Sequence, residues 1–209
     1  MKKYLQILIS SMGAGILIAL GGFVYLSCKD NNAFLASFLF SLGLITIISF
    51  KLYLFTGKVG YIFDNKPSFL LDLLVCWIGN LIGSLFTGGL LSLTRIDLIE
   101  VAQKAVEIKL NDNLLSIFVL SIFCGIMIYI AVEIQKRNVS NTIKFVGISL
   151  PVMVFILSGF EHCVANMFYI TYAGSWSLIA FLYIIIMSLG NGVGSLLFWG
   201  INKIVEEKN

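Results

Sequence analysis

The chain has 209 residues, of which 59% are hydrophobic and only 12% charged, with a formal net charge of +3. A soluble domain carries roughly 25% charged residues, so these proportions exclude one and put the chain in a bilayer. The small, dispersed positive charge excludes a nucleic-acid partner, and apolar segments that recur to the end exclude a lone secretory signal.

About 20 apolar residues span the hydrocarbon core, and six segments have that length, at approximately 4–27, 33–57, 69–93, 114–134, 143–173 and 177–201. The spacing predicts an all-α integral membrane protein of six transmembrane helices in a single domain over residues 1–209. The second segment contains Lys51 and then Thr56-Gly57; the fifth contains Pro151, Gly159 and the pair Glu161-His162. Each is expected to break near mid-membrane, which is tolerated only where protein or a water-filled cavity satisfies the freed backbone groups. Cys28, Cys76, Cys124 and Cys163 are scattered, with no CxxC and a single histidine in the chain. They read as small apolar residues, with no metal site and no cofactor expected.

Basic residues near the helix ends give the orientation. With the N-terminus cytoplasmic, that side carries Lys2, Lys3, Lys58, Lys66, Lys136, Arg137, Lys144, Lys203 and Lys208, against Lys29, Arg95, Lys104 and Lys109 opposite. The bias puts both termini inside.

Residues 79–85 read GNLIGSL and residues 190–196 read GNGVGSL, sharing five of seven positions at an offset of 111. Small residues four apart let helices pack closely, and the added Asn and Ser-Leu favour a duplication. Three crossings per half make the halves inverted repeats, approximately 1–97 and 112–209, with the site between the two broken helices. The same offset carries His162 onto Lys51 and Phe155 onto Leu44.

The run GFEHCVANMF at 159–168 resembles the GFEH-x-x-ANM signature of the formate/nitrite transporter family, and Leu54-Phe55-Thr56-Gly57 resembles that family's LFT loop. The GN-x-x-G segments fit as well, so the likeness covers nearly the whole chain. It implies an aquaporin-like protomer of a homopentamer in the cytoplasmic membrane of a prokaryote, with one pore per protomer for small monovalent anions. It implies His162 as the pore histidine with Glu161 and Asn166 beside it, and Thr56 as the loop threonine facing it. Leu44 and Phe155, flanked by Leu54 and Phe55, would be apolar constrictions, and Lys109 a basic residue of the outer vestibule. Tyr53 stands where that pattern has a glutamate, Lys51 where it has a small residue, and Gly125 where it has an asparagine of the histidine network. Those departures resemble the hydrosulfide-channel branch more than formate or nitrite members.

An ionisable residue inside the membrane is a functional hypothesis by default. His162 offers a ring N–H to a desolvated anion, or caps a broken helix end. Glu161 would repel an anion from the lumen, so it is expected to face away and accept hydrogen bonds from backbone N–H groups of the other break. Asn166, at i+4 from His162, orients the ring, donates to the anion, or packs. Lys51 either gives the pore a positive potential or snorkels to the interface. Lys104 and Lys109 form an outer electropositive funnel, or a solvated patch balanced by Asp97, Glu100 and Glu107.

Three functions remain: a passive anion channel, a proton-linked transporter that moves an effectively neutral acid, and a neutral-solute channel. No nucleotide-binding loop supports a pump and no Asn-Pro-Ala pair marks a water pore. An enzyme would need a nucleophile with its base, a metal cluster or a cofactor motif; none is expected, and no residue is assigned as catalytic.

Overall fold

The computed structural model describes residues 2–206 and contains, among them, only helices and turns. In chain order the α-helices are α1 (Lys2–Ser49), α2 (Phe55–Lys58), α3 (Phe69–Leu91), α4 (Ile99–Leu110), α5 (Leu114–Glu133), α6 (Asn141–Leu157), α7 (Cys163–Tyr172) and α8 (Leu178–Glu206), with 3₁₀ turns at Val59–Asp64 and Ile134–Lys136. Lys208, counted among the basic residues above, lies outside the described residues.

α1 folds back on itself at Asn32, whose backbone is extended (φ −157°, ψ 92°). Asn32 Oδ1 accepts the Leu35 N–H at 2.9 Å and so caps the second arm. Gly21 lies against Phe40 and Gly43 against Leu17, so the arms run antiparallel. The first two expected spans are therefore one helical hairpin. α1, α3, α8 and the stretch Leu114–Lys136 are each long and apolar enough to cross a membrane; α6, at 17 residues, is shorter, and the fifth expected span is shared between α6 and α7.

Glycines set the close packing in both halves. α3 meets the first arm of α1 at Gly79, where a Cβ would come within 2.5 Å of Ser11 Cβ and 2.8 Å of the Leu8 carbonyl. α8 meets α5 at Gly190 in the same way, 2.5 Å from Ser121 Cβ and 2.7 Å from the Phe118 carbonyl. Gly15 and Gly125 are the counterparts on the facing helices; a Cβ on either would run into the backbone oxygen of Asn80 or Asn191 respectively. Gly125 is therefore a helix-contact residue, with no room for a larger side chain while α5 and α8 pack this closely.

Between the halves, α4 carries Lys104 and Lys109 across one end of the bundle. The other end gathers both ends of the described chain. There Lys3 pairs with Asp72 (2.7 Å), Lys203 with Asp64 (3.3 Å) and Arg137 with Glu206 (2.7 Å).

Gly125→Asn should destabilise the protein by at least about 1–3 kcal/mol, the usual cost of overpacking a tight contact. A fall in the melting midpoint of the detergent-solubilised protein checks this; an unchanged midpoint would show that α5 and α8 do not meet there.

Candidate functional site: two helix breaks and the path between them

Both expected breaks are present and share one local geometry. The second arm of α1 ends with the Leu52 N–H bonded to the Ile47 carbonyl (2.9 Å) and the Lys51 N–H to Ile48 (3.1 Å), Lys51 lying at φ +56°. α6 ends with the Phe160 N–H on Phe155 (2.9 Å) and the Gly159 N–H on Ile156 (3.1 Å), Gly159 lying at φ +70°. This is the Schellman ending of a helix, which normally uses glycine at the left-handed position. Lys51 is thus the counterpart of Gly159, at an offset of 108. The offset of 111 expected to set Lys51 opposite His162 holds only for the closing helices. At the breaks His162 corresponds to Leu54, each being the residue that precedes a short second helix, and Phe155 corresponds to Ile47 instead of Leu44.

A bilayer offers no water to the backbone groups a break exposes. Two asparagines of the repeated motif supply the partners. Asn80 Oδ1 accepts the Phe55 N–H (2.8 Å), while its Nδ2 donates to the carbonyls of Ser11 (2.8 Å) and Tyr53 (3.0 Å). Asn191 Oδ1 accepts the Cys163 N–H (2.9 Å), while its Nδ2 donates to Ser121 (2.8 Å) and Glu161 (2.7 Å). Each amide ties a break to the helix on which its own helix packs. The role expected of Glu161 is therefore filled by these residues, which the sequence shows only as the Asn of GN…GSL. The Glu161 carboxylate is instead held by Lys109 Nζ, 2.7 Å from both oxygens, and by Asn166 Nδ2 at 2.8 Å. Phe55, like Thr56, lines neither cavity described below, and its backbone N–H is held by Asn80 at the break.

His162 precedes α7 and caps it: Nδ1 accepts the Ala165 N–H at 3.1 Å. A backbone N–H can only donate, so Nδ1 carries a lone pair and, in the neutral ring, Nε2 carries the proton. Nε2 lies 2.9 Å from Thr56 Oγ1. Thr56 accepts that proton's bond and keeps its own hydroxyl hydrogen free to donate. Phe155 stacks against the imidazole, with ring centroids 5.6 Å apart. Asn166 Nδ2 also donates to the His162 carbonyl (3.0 Å). Both Nδ2 bonds go to acceptors, which fixes the amide's orientation, and Asn166 Oδ1 is buried without a hydrogen-bond partner among the described residues.

Two cavities approach this pair from opposite ends. One, of about 310 Å³, is lined by Phe40, Phe155, Glu161, His162 and Asn166 at its depth and by Lys29, Lys104 and Lys109 nearer its mouth. The other, of about 420 Å³, opens at the end bearing the chain termini and is lined by Leu44, Leu54, Lys51, Lys58 and Lys136 among others. They share no lining residue, and Thr56 belongs to neither. The expected site residues are thus distributed along one line: Leu44, Leu54 and Lys51 on one side, Thr56 and His162 at the middle, and Phe155, Asn166, Glu161 and Lys109 on the other.

The fold and site define a polytopic membrane protein with two helix breaks that meet between two cavities. The whole of residues 1–205 matches the family model described as formate/nitrite transporter, and the chain belongs to that family. It is 28% identical to the formate channel FocA of Haemophilus influenzae over 181 residues (77% of this chain, 64% of that protein). It is 31% identical to the uncharacterised transporter YrhG of Bacillus subtilis over 191 residues (81% of this chain, 70% of that protein). Among solved structures it resembles a pentameric formate channel with formate bound, with a TM-score of 0.82, 24% identity, and coverage of 100% of this chain and 99% of the other. The chain thus spans about two thirds of the length of the curated relatives it matches.

The Glu161 side chain is 4% exposed, so Lys109→Met leaves a buried carboxylate without its cation, at about 3–5 kcal/mol. Adding Glu161→Gln should restore most of the melting midpoint. A single variant as stable as the double one would remove the ion pair from the account.

Proposed function

We propose that the protein is a passive channel for small monovalent anions, with hydrosulfide foremost and formate and nitrite in the same class. It sits in the cytoplasmic membrane as a homopentamer with one path per protomer and both termini inside. The reading rests chiefly on the Thr56–His162 bond at the meeting point of the two cavities. An anion arriving there has shed its water against Leu44 and Leu54 or against Phe40 and Phe155. It then finds the Thr56 hydroxyl as the spare donor, oriented by the His162 Nε2–H, while Glu161, which lines the same cavity, has its charge compensated by Lys109. Desolvation by an apolar ring followed by a fixed donor set is how a pore favours ions that dehydrate cheaply. Membership of the family and the likeness to a formate channel support the anion class.

Hydrosulfide is favoured within that class by one observation. Asn166 Oδ1 is an acceptor without a donor. Hydrosulfide brings an S–H, whereas formate, nitrite and chloride bring no O–H, N–H or S–H. Lys51 and Tyr53, the remaining departures from the formate-type pattern, support the same choice. Proton-linked transport through His162 would need the imidazole to take a proton at Nδ1, which breaks the cap on Ala165 and frees a backbone N–H in the bilayer. The geometry therefore favours conduction over a proton relay.

In proteoliposomes, flux of hydrosulfide, formate, nitrite and chloride should follow an imposed membrane potential. His162→Ala should alter the ratios among them with assembly intact. Asn166→Leu should lower hydrosulfide relative to formate by roughly fivefold, the worth of one neutral hydrogen bond. Flux that ignores potential and tracks the undissociated acid would overturn conduction, and equal passage of glycerol would indicate a neutral-solute pore.

A further inference from the structure

The cavity at the termini end has an unusual lining. Among the described residues its floor and walls are Leu44, Ile47, Ile48, Leu52, Leu54 and Val132 with Gln135 as a neutral polar neighbour, and its charged groups are Lys51, Lys58 and Lys136, with no aspartate or glutamate. Lys136 is 3.3 Å from Glu133 and lies over the Tyr61 ring, which itself donates to Glu133; its charge is compensated. Lys51 and Lys58 have no carboxylate within ion-pair distance among the described residues. The half-buried Lys58 has the Tyr53 ring beside its ammonium, 4.8 Å from the centroid.

Lys51 adds an independent observation. It holds the left-handed position of a helix ending at φ +56°, where the matching position of the other half has Gly159. A side chain there is strained relative to glycine, and such strain persists where the residue has another task. Two uncompensated ammonium groups, one of them retained against the backbone's preference, therefore face one cavity of about 420 Å³.

We infer that this cavity is a binding site for a divalent oxyanion of the sulfate or hydrogen-phosphate kind, held by Lys51 and Lys58, which plugs the path from the termini side. The inference rests on the reading of the path as an anion route. Both ammonium groups act on a dianion at once, so Coulomb attraction doubles relative to a monovalent ion in the same place. The floor then stops it: the cost of stripping water from an ion rises with the square of its charge, and Leu44 and Leu54 offer nothing in return. A monovalent anion visits the same lysines and moves on, whereas a dianion stays. The site would make conduction sensitive to dianions on one face of the membrane only.

The test uses sodium sulfate against sodium chloride at matched ionic strength, on the full chain. With sulfate on the termini side, hydrosulfide flux in wild-type proteoliposomes should fall at least fivefold; on the opposite side it should be unchanged. Lys51→Gly and Lys58→Gln together should abolish the inhibition. Lys51→Gly also relieves backbone strain, so this variant is expected to remain folded, and its melting midpoint in chloride verifies that. Inhibition from both sides or from neither, or inhibition that survives the double variant, would overturn the site. If the wild type carries no anion flux, the channel reading fails while the site is still decided by calorimetric titration of sulfate in detergent. Binding by the wild type that is lost in the double variant sustains it, and equal heats from both overturn it.

Discussion

The structure depends on one constraint: a backbone that stops being helical inside a bilayer must find partners for its freed N–H and C=O groups. The chain breaks twice, at Lys51–Leu54 and at Ser158–His162, and repairs both breaks with a buried asparagine from a neighbouring helix. Asn80 and Asn191 each accept one hydrogen bond from the helix beginning after the break and donate two to carbonyls. They reach the breaks because glycines at 79, 83, 190 and 194 bring α3 and α8 into backbone contact with α1 and α5. Small-residue packing, the asparagine amides and the broken helices are one device, and it occurs once in each half.

The device also determines the chemistry at its centre. With the Cys163 N–H taken by Asn191, the ring of His162 is left to cap Ala165. The cap directs Nε2–H toward Thr56 and leaves the threonine hydroxyl as the spare donor. Glu161, expelled from the capping role, becomes the counter-ion of Lys109 and the anchor of Asn166. An acidic residue beside the path is thereby neutralised without being removed. Fixed donors in a low-dielectric site act on an anion without reorganisation, which is where such groups are most effective.

Much of this was legible in the sequence. The recurrence of apolar segments gave the membrane class, and Gly159 with Glu161-His162 marked a break because nothing else explains ionisable groups in so apolar a run. The duplication was visible in the two GN…GSL motifs. Its register at the breaks was not, because the second half has three more residues between the break and its GN…GSL motif than the first. A single offset therefore aligns Asn80 with Asn191 and misaligns Lys51 with His162. The work of the two asparagines was hidden for a different reason. Their bonds join segments about 25 to 70 residues apart, and local spacing carries no trace of such contacts. Gly125 shows the converse: a substitution that resembles a change of substrate turns out to be a space requirement set by the Asn191 backbone.

The central claim is that His162 is held as the neutral Nε2–H tautomer by its cap on α7, with Nδ1 closed to protons. The chain has one histidine, so a sample labelled with ¹⁵N only at histidine gives one pair of ring nitrogens to assign. In lipid at neutral pH the account predicts a protonated Nε2 and an unprotonated, hydrogen-bond-accepting Nδ1. A ring carrying its proton on Nδ1, or on both nitrogens, would contradict it.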